Sequence, residues 1–362
     1  MSAGANGTIA EREWLLRDRL ERCGAWLEAA GAEALVLERP ENLAWVTGGG
    51  DLRVSREGGS VADAVVTAHR LTIVTNRIEA ARLEDEILPP GASLEVVPWH
   101  DAAARTAAIA RIVRGAPTVS DREVDLAELR LPLTPLEHER FAHLGASAAR
   151  LLTDAVSGLE PGWTEHQVAA RVQGTLRAAG LELPVVLIAG EGRFGRYRHP
   201  IVTGAPFGAF GLIVVCAQRH GLVASLTRTV AFGQVPDLLA ERLARVLRVE
   251  AAMLDASVPG VPTSEVLHAA RAAYAAEGED DAWLDHHQGG PAGYLPREWL
   301  ATPGEERPLR AGTPVAWNPS LPFAKAEDTF WIADDALVNL TWDDRWPSTT
   351  IAGRPRALVR VL

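Results

Sequence analysis

Cysteine is scarce in this chain: only Cys23 and Cys216 occur in 362 residues. That excludes a disulfide framework and a cysteine-rich zinc site. No apolar run approaches the ~18 residues that cross a bilayer. The start, Met1 to Ala10, lacks the basic and apolar regions of a secretory leader, so a soluble cytoplasmic protein is expected, with no membrane partner. Positive charge is in deficit, with a formal net charge of −11, which argues against a nucleic-acid partner because phosphate backbones select basic surfaces. The sharpest absence is local. No Asp or Glu occurs between Glu191 and Asp237, a tract that carries Arg193, Arg196, Arg198, Arg219 and Arg228. A carboxylate on a substrate would suit that bias, although pairing with the acidic surplus elsewhere is the better account for any one arginine.

A hydrophobic content of 47% with 23% charged residues marks an ordinary globular protein, and the length suits two domains. Apolar periodicity predicts a helix over residues 11–30. Strands are expected at Ala34–Leu37, Leu43–Thr47, Ala64–Thr67 and Leu71–Thr75, with a helix near Ile78–Leu88. This alternation implies a small α/β domain over residues 1–130. From Pro135 an internal repeat appears. A helix at Leu136–Val156 leads through Pro161-Gly162 to a second helix ending near Ala178. The same sequence of features returns with a helix at Leu238–Ala256, Pro259-Gly260 and a helix ending near Ala275. Each pair shows Thr or Ser at a helix start with an acid in the first turn, suited to exposed amides and the helix dipole. Strands follow at Val185–Ile188 and Gly211–Ala217, then at Leu309–Trp317 and Thr329–Ile332. Residues 131–362 are therefore expected to form a duplicated α+β domain with a crevice between its halves.

The stretch from Asp285 to Glu298 is the densest in chemistry-bearing residues. It holds His286 and His287, three glycines after them, Tyr294 and the pair Arg297-Glu298. Glycines permit close backbone approach, and paired imidazoles invite a metal or an acid/base role. Adjacent residues on a strand point to opposite faces, so one histidine is expected inward and the other structural.

Three segments carry a family resemblance. The strand pair Gly221-Leu222-Val223-Ala224-Ser225-Leu226-Thr227-Arg228-Thr229 resembles the Gly-Tyr-x-x-Asp-x-Thr-Arg-Thr segment of the creatinase and aminopeptidase P family. Gly289-Gly290-Pro291-Ala292-Gly293 resembles its Gly-His-Gly-Ile-Gly, and Glu327-Asp328-Thr329 its terminal Glu-Asp-Thr. The resemblance covers most of the chain. It implies a creatinase-type α/β N-terminal domain before a pita-bread domain, and a homodimer in which a loop carrying Asp51 and Arg53 approaches the partner's substrate. Peptidases of the family hold two metal ions with two Asp, one His and two Glu, because bridging carboxylates neutralise the cations. By that comparison one Asp position is Ser225 and the other falls near Val214 in the acid-free tract. The His position is Gly290, one Glu position is Asn318, and only Glu327 remains.

The resemblance places Arg297 at the family's second catalytic histidine and His199 at its substrate-side histidine. Creatinase itself, similar in lacking a metal, hydrolyses a guanidino compound through a histidine at the latter position. The expectation is therefore a metal-independent enzyme without a cofactor, acting on a small, carboxylate-bearing, amino-acid-like substrate. His199 and Glu327 are the catalytic candidates; Arg297, Asn318, His287, Ser225, Tyr294, Asp51 and Arg53 are the binding candidates. C–N hydrolysis is the family default, and lyase, cyclase or isomerase chemistry fits the same residues. Cys216, beside Ser225 on adjacent strands, is read as a buried apolar residue. The alternatives are a catalytically inactive recognition protein and a metal-dependent Xaa-Pro aminopeptidase, the latter opposed by the missing ligands.

Overall fold

A computed structural model describes residues 7–55 and 58–362; most of the Met1–Ala10 stretch read above, residues 1–6, lies outside the described residues. The chain forms two compact units, Met1–Leu131 with His220–Leu222, and Pro132–Arg219 with Val223–Leu362. None of the described helices is long and apolar enough to cross a membrane.

In the first unit, helix α1 (Ile9–Ala30) begins in a reciprocal cap between Thr8 and Glu11 and stops at Gly31, whose φ of 65° a side chain disfavours. Strands β1 (Ala34–Leu37), β2 (Ala62–Thr67), β3 (Arg70–Asn76), β4 (Ser93–Val97) and β5 (Thr118–Ser120) make one sheet in the order β4-β3-β2-β1-β5. β1 runs antiparallel to β2 and parallel to β5. The strand expected at Leu43–Thr47 is instead the helix α2 (Pro40–Val46). Proline at its first turn has φ preset for a helix and lacks only an amide that would go unpaired. Leu43 to Val46 are all buried, and a short apolar run without period fits either element. The helix expected near Ile78–Leu88 forms as the single turn Ala80–Arg82 followed by a π-helical turn, Leu83–Ile87. Helix α3 (Ala102–Val113) follows β4.

The second unit carries the duplicated frame. Helices α4 (Pro135–Val156) and α5 (Glu165–Ala178) form the first pair, and α6 (Asp237–Asp255) and α7 (Thr263–Ala276) the second. The first pair starts in capping boxes, Thr134 with Glu137 and Thr164 with Gln167. The second departs from the expected Thr or Ser caps: Pro236 and Pro262 occupy those positions. At α7 the first-turn amides of Thr263 and Ser264 donate to the carbonyls of Arg307 and Glu305, at 3.1 and 2.9 Å. Loop carbonyls accept those amides, so no side-chain cap is needed.

After the first pair come β6 (Glu182–Gly190), β7 (Phe210–Arg219) and β8 (Leu222–Ala231), joined at the edge by Arg360–Val361. After the second come β9 (Gly289–Pro291), β10 (Thr313–Trp317), the short hairpin β11 (Ser320–Leu321) and β12 (Ala324–Lys325), then β13 (Thr329–Ile332) and β14 (Leu337–Asn339). The strand expected from Leu309 starts only at Thr313, because Gly312 turns the chain at φ 84°. The core is continuous between the sheets and α6 and α7: Val214, Val246, Met253, Leu267, Val315 and Phe330 belong to one buried cluster. This is the pita-bread arrangement, with the creatinase-type domain before it.

Candidate functional site

Strand β8 sets the site by alternation. Ser225 and Thr227 point to one face and Arg228 to the other, as the period of two requires. Ser225 is pinned by a reciprocal pair with Thr329: its amide donates to the threonine hydroxyl, which donates back to its carbonyl, both at 2.9 Å. The Thr227 hydroxyl donates to Glu327 Oε2 at 2.7 Å.

Glu327 is the centre of a buried ion cluster. Arg297 Nη2 donates to Oε1 at 2.7 Å and Lys325 Nζ lies 2.9 Å from Oε2. Burial opposes ionisation, but Lys325, Arg297 and the Thr227 hydroxyl outweigh it and hold the carboxyl far below the ordinary range. Arg297 also donates to Ser225 Oγ at 3.2 Å and to the Pro296 carbonyl at 2.6 Å. Two cations therefore face one carboxylate, leaving a surplus of positive charge. Lys325 was missed as a functional residue in its own right. The signal was available, since it is the only lysine in a chain that otherwise uses arginine, and it is 6% exposed.

The imidazoles gather beside this cluster. His199 and His286 approach to 3.1 Å between their Nε2 atoms. The ligand-capable atoms of His199, His286 and His287 all lie within 4.8 Å of one another. The expectation that one of the paired histidines turns away is corrected: both belong to the group, with ring centroids 4.7 Å apart. They precede β9 in irregular backbone rather than lying on a strand, so strand alternation does not govern them. The segment is held from both sides. Arg198 donates to Asp285 at 3.1 Å, next to both histidine positions. Gln288 donates to the His286 carbonyl at 2.6 Å and accepts from the Tyr274 hydroxyl at 3.2 Å. Ser320 Oγ lies 3.4 Å from His286 Nδ1.

All three imidazoles are driven toward the neutral form. Burial and then Lys325 lower His286 to about 2. Burial and then Arg297 lower His287 to about 4. Burial and Lys325 lower His199, the exposed member. A neutral imidazole facing solvent can accept a proton. Buried atoms without a partner among the described residues include His287 Nδ1, Arg297 Nε and Asn318 Oδ1. Such atoms are uncommon in a folded chain and call for an explanation.

Other candidates sit elsewhere. Tyr294 is buried with its hydroxyl donating to Glu137 at 2.6 Å, so it braces α4 rather than the imidazole group. Asp51 and Arg53 lie in the first unit and pair with each other at 2.8 Å. Cys216 is buried 3.3 Å from Ser225 Oγ, and burial pushes its thiol up to about 11, which suits an inert residue. Three arginines of the acid-free tract have acidic partners: Arg193 pairs with Glu165, Arg198 with Asp285 and Arg228 with Asp328. Arg196 lies over the Tyr197 ring at 5.6 Å.

Position 290 is closed to a side chain, because a Cβ there would sit 2.0 Å from the Trp299 carbonyl oxygen. Among the described residues, the imidazole trio is the one group of three or more His, Cys, Asp or Glu with ligand atoms in mutual reach.

The model of metallopeptidase family M24 matches residues 139–339, and that of the creatinase/prolidase N-terminal domain matches residues 19–129. A Mycobacterium tuberculosis protein named "Probable dipeptidase PepE" is 24% identical over 322 residues, covering 87% of this chain and 82% of the relative. The Xaa-Pro dipeptidase of Bacillus anthracis superposes with a TM-score of 0.77 at 16% identity, covering 96% of this chain and all of the other. The N-terminal domain of FACT complex subunit SPT16 from Cicer arietinum superposes at 0.70 and 13% identity, over 92% of this chain and 97% of the other.

Proposed function

We propose, on the premise that the chain belongs to metallopeptidase family M24, that it is a hydrolase working without the paired metal ions of that family's peptidases. The observation that carries this reading is the ion cluster at Glu327. The one carboxylate left at the family's ligand positions already meets Lys325, Arg297 and the Thr227 hydroxyl. Ser225 and Asn318 supply no charge, and position 290 has no room for a ligand side chain. These residues do not fit a pair of divalent ions, which require bridging carboxylates.

The positive surplus suits an anionic group instead. A small amino-acid-like substrate would present its carboxylate to Arg297 and Lys325, with Asn318 and His287 as polar contacts. Arginine and lysine are worth most to a carboxylate where water is excluded. His199 would accept the proton of an attacking water, and the same imidazole would return it to the departing nitrogen as the C–N bond breaks. Its lowered pKa keeps it in the accepting form at neutral pH. A homodimer in which Asp51 and Arg53 reach the partner's site is part of the proposal.

The test is turnover of dipeptides and guanidino acids by metal-stripped protein in excess chelator. The expected result is unchanged activity with chelator, and abolition in His199→Ala without loss of melting temperature. Loss of activity in chelator with recovery on manganese or cobalt would restore a metallopeptidase mechanism. Ligand binding without turnover of any substrate would favour a recognition protein.

A further inference from the structure

We propose that His199, His286 and His287 form a reversible site for one borderline transition-metal ion of the zinc type, and that its binding switches the enzyme off. The geometry is that of a ligand set. The Nε2 atoms of His199 and His286 stand 3.1 Å apart. Two nitrogens bound tetrahedrally to zinc at about 2.0–2.1 Å stand roughly 3.3 Å apart. The third imidazole lies within the same 4.8 Å envelope, and its Nδ1 is buried without a partner among the described residues. Ser320 at 3.4 Å holds the far nitrogen of His286, leaving Nε2 toward the group, as an outer partner does for a metal-bound histidine. The Arg198–Asp285 bond fixes the two histidine-bearing segments relative to each other.

The donor chemistry selects the ion. Three imidazoles with no carboxylate suit zinc, copper, nickel or cobalt, and are poor ligands for magnesium, calcium or manganese. Three protein ligands leave a tetrahedral ion one open position, and the exposed ring of His199 places that group at solvent. This site uses none of the family's ligand positions. Neutral ligands leave the ion's charge intact, and Lys325 and Arg297 stand nearby with, among the described residues, only Glu327 to offset them. Such a site binds more weakly than one with a carboxylate, which suits an ion that comes and goes. Coordination takes up the lone pair with which His199 would accept a proton; no bond of the substrate is involved and no electron is transferred. The inhibitory half rests on the acid/base role given to His199 above, whereas the binding half does not.

Zinc titration of the metal-stripped full chain by calorimetry, with cobalt(II) absorption as a second probe, tests both halves. One ion per chain is expected, with the intense visible bands of tetrahedral cobalt. Because losing even an outer partner costs 10–100-fold in affinity, His199→Gln and His287→Gln should each weaken binding by at least about tenfold. His199 is exposed, so its variant keeps the test interpretable if His287→Gln folds poorly. Absence of binding, two ions per chain, or wild-type affinity in both variants would overturn the site. Histidine-dependent binding that leaves turnover unchanged would overturn the switch alone, and would count against His199 as the proton-transfer group.

Discussion

Two neighbouring carboxylates, Glu327 and Asp328, each meet two cations, and the clusters they anchor differ in one respect. Asp328 accepts from Arg228 at 2.9 Å and Arg356 at 2.8 Å, and from the Thr341 hydroxyl at 2.8 Å. Arg356 turns to a second acid, Glu250, at 2.7 Å. Two arginines and two carboxylates balance there, all nearly inaccessible to water. On the other side, Glu327 faces Arg297 and Lys325 with no second acid among the described residues. Balanced burial closes a cluster on itself, whereas unbalanced burial leaves a charge that a ligand can satisfy. The same alternation that aims Thr227 at one cluster and Arg228 at the other keeps scaffold and site apart in adjacent residues.

Breaking the balanced side should have the largest effect. Asp328→Asn leaves Arg228 and Arg356 short of a buried counter-charge and is expected to cost about 3–5 kcal/mol, read as a lower urea midpoint. A loss below about 1 kcal/mol would mean that this cluster is not the scaffold described.

Acid should come next. The unfolded chain takes up protons on histidine below about pH 6.5, while His286 is held to about 2 and His287 to about 4 in the fold. The unfolded state thus binds more protons as pH falls, and stability falls with it. Stability is whole above about pH 6.5 and falls below it, down to about pH 4 for His287 and about pH 2 for His286. His286 costs up to about 1.4 kcal/mol per pH unit over that window, and the part-exposed His287 costs less because solvent screens it. Glu327, held low, is lost in the same direction. Denaturant midpoints at pH 7, 6 and 5 measure the slope, and His286→Gln should flatten it.

The smallest stability change is expected from removing the surplus. Lys325→Met leaves the Arg297–Glu327 pair intact and puts an apolar chain in a buried position, so stability should move by less than about 1.5 kcal/mol, the range of volume-conserving core swaps. A fall of several kcal/mol would show that Lys325 belongs to the scaffold after all.

Much of the fold was legible because it rests on short-range signals. Thr164 and Gln167, three residues apart, announce a helix start, and the two Pro-Gly turns mark the duplication. The missing acids between Glu191 and Asp237 raised the expectation of a changed site before any geometry. Leu43 to Val46 could not be resolved by period, since all of them are buried. The start at Pro262 depends on carbonyls distant in sequence, those of Arg307 and Glu305. The joint turning of His286 and His287 toward His199 depends on irregular backbone tied by Arg198 and Gln288. Lys325 was visible as a lone lysine, but its significance depends on Glu327 and Arg297 meeting it in space.

The central claim is that the surplus charge of Lys325 and Arg297 over Glu327 awaits a carboxylate. Calorimetric titration of metal-stripped protein with amino acids and with their uncharged amides tests it directly. The charged hydrogen bonds at stake predict that the acids bind about 10–100-fold more tightly than the amides, and that Lys325→Met removes most of that preference. Equal affinity for acid and amide in the wild-type protein would contradict the account.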